Sequence, residues 1–542
     1  MSAATRARRL DENADITVFE KGPYISFANC GIPYALSDTI PDPDSLLLQS
    51  PESVKKRFNI DVKINTEVVG IDREKKVVLV RPKGKEEVEE VSYDKLILSQ
   101  GARPMVPDVE GVEMGHVFRL TTVVDLEGVR GYMREKGVKR AVVVGGGFIG
   151  LEAAENLKTM GLEVTVVERG EHVLPPIDRD IAEPVHAELR RNGVGLVLGK
   201  GVGKIEKDAV VVDGGERIPA ELVIMVVGVR PRTGLAKAAG LDVGKNGVTV
   251  NGQMQTSDPD IYAVGDMVET EQRVTGLRQV LALAGPANRQ GRMAADHIFG
   301  KDVAYRGNVG AAVVKVFGLT VGITGLSVEA LQRLGREPLW VSAHPPDHAS
   351  YYPGAHAITL KVAFEKETGK ILGAQGVGVA GVDKRIDVLS TAIQGNMTIF
   401  DLEHLELAYA PPYGSAKDPV NMVGFIGSNL LRGDVDIAHG QDLTPEELKN
   451  MQVVDVRSPG EFSRGHLKFA KNIPVNDLRG DIASLDKSKK TLVYCQVGYR
   501  GYLADRILKQ KGFDVMNLDG GYKSVADGGL KELQEVPPQK SS

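Results

Sequence analysis

The stretch VKRAVVVGGGFIGLEAAENLKTMGLEVTVVERG, Val138–Gly170, decides the fold. AVVVG is a short β-branched run, the composition of a strand buried in a parallel sheet. Gly145, Gly147 and Gly150 give G-x-G-x-x-G, LEAAENLKTM carries helical spacing, and EVTVVE is a second strand ending at Glu168, 18 residues after Gly150. The first glycine permits the tight turn, the second lets backbone approach a pyrophosphate, and the third lets helix and sheet pack closely. The helix N-terminus then faces the phosphates. Glu168 is placed to accept hydrogen bonds from a ribose 2′-hydroxyl, which favours NADH. Adjoining Arg169 leaves NADPH open. A glycine turn of purely structural use lacks this full set of strand, helix and acid.

Working outward, the N-terminal part reads as a second nucleotide unit. Ser2–Leu10 is predicted helical, and DITVFE (15–20) is a strand ending in Glu20. LILSQGARP (96–104) enters a glycine turn at Gly101, and TSDPDIYAVGD (256–266) ends at Asp266. Three strands converging on glycine turns predict a doubly wound domain interrupted by the first. From 311 to 430, strands (AAVVKVF, AITLKVAF, ILGAQGVG) alternate with helices such as KRIDVLSTAIQGN. SNLLRGDVDIAHGQ reads as a linker, and ELKNMQVVDVRSPGEFSRGHLKFAKNIPV and TLVYCQVGYRGYLADRILKQKG follow it.

Bulk properties agree. With 542 residues there is room for three or four domains, and 42% hydrophobic with 26% charged residues is ordinary for a soluble protein. A net charge of −5 offers no broad basic field, so nucleic acid is not an expected partner. No apolar run approaches the ~20 residues of a membrane helix. MSAATRARRL lacks the apolar core of a secretion signal, and Asp11, Glu12 and Asp15 follow it, so the expected compartment is the cytoplasm.

Only two cysteines occur, Cys30 and Cys495, too few for a disulfide framework and without zinc spacing, so no metal is expected. Cys30 lies in GPYISFANCGIPYALSD, just before Gly31, Pro33 and a helical run. Proline is tolerated in a first helical turn. Cys30 is therefore expected near a helix N-terminus, whose dipole lowers a thiol pKa. Cys495 follows the strand LVYC and heads the loop CQVGYR before a helix. Backbone N–H groups curling round its sulfur, with Arg500 adding charge, would hold a thiolate or persulfide. The competing reading at each cysteine is a thiol that only packs.

SFANCGIPY, the fingerprint with Glu168, IYAVGD and AYAPPYGSAKDP (408–419) together resemble the pyridine nucleotide–disulfide oxidoreductases. The resemblance covers about residues 1–435 and points to their single-cysteine branch: coenzyme A disulfide reductases, NADH oxidases and NADH peroxidases. Asp455–Arg457, Gly465–His466, NIP and CQVGYR resemble a rhodanese domain. The combination is similar to coenzyme A disulfide reductase–rhodanese fusions, also described as NADH-dependent persulfide reductases.

The resemblance implies an α/β fold with two doubly wound nucleotide-binding domains for FAD and NADH, an α+β dimerisation domain and an α/β rhodanese domain. Expected bounds are 1–110 and 241–310 for the FAD domain, 111–240 for the NAD(P)H domain, 311–430 for dimerisation and 441–536 for rhodanese. The family opens with a strand and glycine loop that bind the FAD pyrophosphate, and this sequence opens within the following helix. The expectation is a natural start about a dozen residues upstream, and Glu20, Gly101 and Asp266 carry what this chain offers FAD.

The resemblance also assigns site residues. Ala35 stands where two-cysteine relatives have their second cysteine, so Cys30 would form a mixed disulfide, persulfide or sulfenic acid. Ser26 and Asn29 match positions that contact coenzyme A or orient the cysteine, and Arg6 and Arg9 match a coenzyme A phosphate-binding face. Tyr409 or Tyr413, with Tyr351 as another candidate, would reach the sulfur site of a partner subunit in a homodimer. Lys417 matches a substrate position. The implied activity is reduction of coenzyme A disulfide, coenzyme A persulfide or polysulfide, with Cys495 carrying sulfane sulfur. Two alternatives stay open: an NADH oxidase or peroxidase using a Cys30 sulfenic acid, and a non-redox sulfur carrier without flavin.

Overall fold

The computed structural model describes residues 1–536. The chain divides into two compact units: Met1–Arg169 with Gly193–Asn308, and Gly170–Asn192 with the chain from Val309.

In the first unit the fingerprint forms as its sequence demands. Strands Arg140–Val144 and Glu163–Glu168 run parallel on either side of helix Phe148–Thr159 in the chain. They lie in a five-stranded sheet ordered 117–118, 222–225, 140–144, 163–168, 195–198. Val142, Val143, Val166, Leu222 and Val223 are fully buried there, as strands covered on both faces should be. A three-stranded antiparallel sheet, 202–205, 209–212 and 217–219, packs beside it.

The N-terminal region departs from the expectation of three converging strands. Thr17–Phe19 pairs only with Asp61–Lys63, while Leu96–Leu98 pairs only with Ile261–Ala263. Among the described residues no strand joins the two pairs. Ser2–Arg8 is helical and packs on Ala284–Ile298. Buried Arg8 fixes the turn after it by donating to the carbonyls of Phe58, Asn59, Glu12 and Ala14.

The second unit holds an antiparallel sheet ordered 312–316, 319–325, 371–378, 358–364, 339–343, packed by helices Val382–Gln394 and Pro419–Leu431. Helix Arg179–Arg191, expected in the nucleotide domain, packs here too. At its start Asp178 accepts from Val328 N, Glu329 N and Gln375, and buried Lys361 lies 2.9 Å from Asp178 and 3.0 Å from Asp180. The expected linker is shortened, because Pro419–Leu431 takes in its first residues. Gly427, just ahead of those residues, is a packing residue: a Cβ there would meet the side chain of Ile399.

The C-terminal part is a parallel sheet ordered 437–438, 515–518, 491–494, 452–455, 471–472. Its helix Tyr499–Lys509 buries Asp505, whose two carboxylate oxygens have no hydrogen-bond partner. Burial pushes this carboxyl up to about 7. A folded pKa above the unfolded value, ~3.9, favours the protonated form, so this contribution is complete below pH ~4 and is lost as pH rises through 7. Asp505→Asn should therefore stabilise the protein at pH 8 by about 2 kcal/mol and leave it unchanged at pH 4.5. Denaturant titrations at both pH values check this, and equal effects at both would refute it.

Candidate functional site

The glycines of the fingerprint act through close contact. Gly145 adopts φ +110°, where a Cβ would stand 2.5 Å from Val226 O, and a Cβ on Gly150 would strike Gly145 O. Gly147 starts the helix and has open space where its Cβ would be. The main chain is thus exposed where a pyrophosphate would approach. Glu168 Oε2 accepts from Gly146 N at 2.7 Å, tying the acid to the glycine loop.

Cys30 sits in a 3₁₀ turn, Asn29–Gly31, ahead of helix Ile32–Leu36. The expected lowering of its pKa is overturned. Partial burial, followed by the carboxylate of Glu152, pushes the thiol above its ordinary value, and a backbone hydrogen bond opposes them only in part. The helix after it has five residues, too short for a strong dipole, and it is capped at Gly31 rather than at the cysteine. Cys30 is nonetheless exposed to solvent, with Asn29 Oδ1 3.7 Å from its sulfur.

This turn is anchored to the fingerprint helix. Tyr34 donates to Glu152 Oε1 at 2.8 Å, and Ser37 donates to Asn156 Oδ1 at 2.5 Å. Arg130 holds the far end through Ala35 O at 2.8 Å. The thiol is thereby fixed relative to the first turns of the helix that carries Gly147 and Gly150. Tyr34, Glu152 and Arg130 are not singled out by the sequence, since nothing in their spacing marks contacts across 118 and 95 residues.

The other candidates are placed as follows. Ser26 lies in a two-residue strand paired with Gln49, close in sequence to Cys30. Arg6 and Arg9 are not presented together: Arg6 is largely covered and pairs with Asp296 at 2.6 Å, whereas Arg9 is exposed. Glu20 follows strand Thr17–Phe19 and accepts from Gly22 N at 2.6 Å. Gly101 has φ +63° and open space at its Cβ. Asp266 lies beyond strand Ile261–Ala263, and burial raises its carboxyl.

In the second unit Tyr351 and Tyr409 join hydroxyl to hydroxyl at 2.9 Å. Both are exposed, as are Tyr413 and Lys417. The hydrogen bond between Tyr351 and Tyr409, 58 residues apart, could not be read from the chain.

Cys495 follows strand Thr491–Tyr494 and precedes helix Tyr499–Lys509, with Gly498 at φ +97° as its cap. It is 1% exposed and packs among Val454, Val456, Ile473 and Ala504. Arg500 contacts the cysteine and pairs with Glu461 at 2.6 Å, and Glu461 falls to about 2 as a result. Arg457 is held by Asp455 at 2.7 Å, by Gly465 O at 2.6 Å and by Gln496 at 3.0 Å, with its guanidinium 4.3 Å from the Tyr522 ring centre. Arg457, Glu461, Arg464, Gly465, Gln496 and Tyr522 line an open pocket of ≈ 300 Å³ beside the cysteine loop. The DVR motif thus builds the pocket wall. Glu461, its acidic member, escapes a reading of the sequence. No cluster able to hold a metal occurs among the described residues.

Comparison with known proteins follows this division. Residues 1–291 match the pyridine nucleotide-disulphide oxidoreductase family, 311–418 its dimerisation domain and 444–527 the rhodanese-like domain. An NADH oxidase of Methanocaldococcus jannaschii is 37% identical over 78% of this chain and 95% of its own length. An NAD(P)H coenzyme A polysulfide/persulfide reductase of Pyrococcus horikoshii is 37% identical over 78% of this chain and 94% of its own. The crystal structure of reduced Bacillus anthracis CoADR-RHD superposes with TM-score 0.96 and 43% identity, covering 98% of this chain and 96% of that one. A NAD-dependent persulfide reductase from A. fulgidus gives 0.91 and 38%, covering 97% of both chains.

Proposed function

This chain belongs to the pyridine nucleotide-disulphide oxidoreductases and carries a rhodanese-like domain, and from that premise we propose that it reduces persulfides, polysulfides or coenzyme A disulfide with NADH. Cys30 is its redox-active thiol and Cys495 its carrier of sulfane sulfur. The observation that carries the reading is the pairing, on one chain, of an exposed cysteine anchored to the dinucleotide helix with a buried second cysteine beside an arginine-lined pocket. An NADH oxidase or peroxidase would use Cys30 as a sulfenic acid and has no need of the second site. A flavin-free carrier has no need of the fingerprint.

The residues present fit the cofactors of the family. The bare backbone of Gly145–Gly150 and the acid Glu168 suit a dinucleotide pyrophosphate and ribose. Glu20 and Asp266, just beyond strands Thr17–Phe19 and Ile261–Ala263, suit polar groups of FAD, as does the unobstructed turn at Gly101. FAD, when bound, supplies the two-electron relay between nicotinamide and thiol.

The protein's own share of the chemistry is at sulfur. Cys30 thiolate attacks the sulfane sulfur of a persulfide, or one sulfur of a disulfide, and the S–S bond breaks to release a thiolate. The sulfur bound to Cys30 then leaves as hydrosulfide or thiol when two electrons and a proton arrive. Tyr351 and Tyr409, which share a hydrogen bond, would donate to a departing thiolate of a partner subunit in a homodimer. Ser26 and Asn29 would orient the incoming thiol, Arg9 would meet its charged end, and Arg6 would have to leave Asp296 to join Arg9. No described helix is long and apolar enough to cross a membrane.

Two experiments test the reading. Steady-state NADH oxidation with coenzyme A persulfide, polysulfide, coenzyme A disulfide and oxygen should show sulfur substrates preferred, and oxygen as the best acceptor would refute it. NADH should exceed NADPH in kcat/KM by about fivefold, since Glu168 repels a 2′-phosphate while neighbouring Arg169 softens the effect. Equal or reversed values would remove Glu168 from the ribose site.

A further inference from the structure

The segment Asp519–Ser524 has two faces, and each is hydrogen-bonded to a different domain of the second unit. Toward the antiparallel sheet, Asp519 Oδ1 accepts from Ser342 N at 2.9 Å, and Ser524 Oγ meets His344 Nε2 at 2.8 Å. His344 is braced on its other side by Thr359 Oγ1 at 3.0 Å, and the His439 ring stacks on Trp340 at 3.9 Å. Toward the rhodanese loop, Tyr522 N donates to Cys495 O at 2.8 Å and Lys523 N to Gln496 O at 2.9 Å. Between the faces Gly520 and Gly521 adopt φ +61° and +68°, a pair of left-handed residues that only glycine takes without strain. A Cβ on Gly521 would stand 2.6 Å from Cys495 O, and one on Gly520 would stand 2.8 Å from His344 Nε2.

The carbonyls that open the Cys495 loop are therefore held by a segment whose position is set by strand Leu339–Ala343 and His344. His344 itself is buried. Breaking its hydrogen bond would leave Ser524 without that partner and free the two-glycine turn to move. We infer that His344, with the Ser342–Asp519 pair, is a positioning residue for Cys495: the dimerisation domain holds the sulfur-carrying loop in its working shape. This rests on reading Cys495 as the sulfur carrier, but the positioning has its own readout.

That readout uses the two cysteines of the chain. Full-length holoenzyme is treated with iodoacetamide, and the labelling rates of the Cys30 and Cys495 peptides are measured by mass spectrometry. In His344→Ala, Cys495 labelling should rise about tenfold and thiosulfate:cyanide sulfur transfer should fall about tenfold, with Cys30 labelling and flavin reduction by NADH unchanged. His344→Gln, which keeps an amide where Nε2 meets Ser524, should return both to within about twofold of native. If His344→Ala does not fold, Ser524→Ala deletes the same hydrogen bond and faces the same comparison. Cys495 labelling within twofold of native, or an equal rise at both cysteines, would overturn the inference. A native protein with no sulfur transfer would instead refute the role of Cys495, while labelling still judges the coupling.

Discussion

Cys30→Ser should lose at least about a thousandfold in turnover with persulfide, polysulfide or coenzyme A disulfide, and still let NADH reduce flavin within about twofold of the native rate. The loss is large because the chain's other cysteine, Cys495, is buried in the rhodanese domain, and Ala35 occupies the position that the family resemblance gives to the second cysteine. Serine cannot take up sulfur by exchange, so removal of the nucleophile removes the covalent route entirely. NADH-to-flavin transfer needs only the dinucleotide sites, among them Gly145–Gly150 and Glu168. Stopped-flow flavin bleaching and steady-state turnover on one preparation separate the two halves. Turnover at the native rate would make Cys30 structural.

The same site has a pH signature. Partial burial and then Glu152 hold the Cys30 thiol above its ordinary value, so thiolate, and with it attack on a disulfide, should still be increasing with pH beyond the ordinary thiol range. Glu152→Gln removes the second cause and should move the alkylation profile of Cys30 to lower pH. An unshifted profile would leave burial as the sole cause.

Much of this is legible in the chain, for reasons that differ by site. The fingerprint declares itself because each glycine answers a local steric demand, which spacing alone records. The DVR motif and CQVGYR likewise lie in short loops whose geometry is local. The thiol environment of Cys30 is not legible, because it is set by burial and by Glu152, 122 residues away in sequence (152 − 30), on another element. A helix-dipole argument sees only the residues that follow, and here they form little more than one turn. Arg6 fails similarly, since its partner Asp296 belongs to a distant helix. Linker composition misleads over the first residues of SNLLRGDVDIAHGQ, which helix Pro419–Leu431 takes in, packed through Gly427 against Ile399. In each of these the deciding contact is tertiary, and no period or motif marks it.

Cys495→Ser should divide the substrates. The cysteine is almost fully buried beside a pocket walled by Arg457, Arg464 and Gln496, which suits one sulfane sulfur and an anionic donor. Nothing around it resembles a dinucleotide site. Thiosulfate:cyanide sulfur transfer should therefore be abolished, by about a thousandfold or more, because the rhodanese domain has no second thiol on which its persulfide could form. Polysulfide reduction should slow about tenfold, since sulfur must then reach Cys30 without being loaded first. Coenzyme A persulfide, which is small and diffuses freely to Cys30, should be reduced at the native rate. One variant is thus measured in three assays. Three unchanged rates would make the rhodanese domain a passenger on an independent oxidoreductase. Three lost rates would make Cys495 an obligatory relay, and sulfur would then have to pass from it to Cys30 on every turnover.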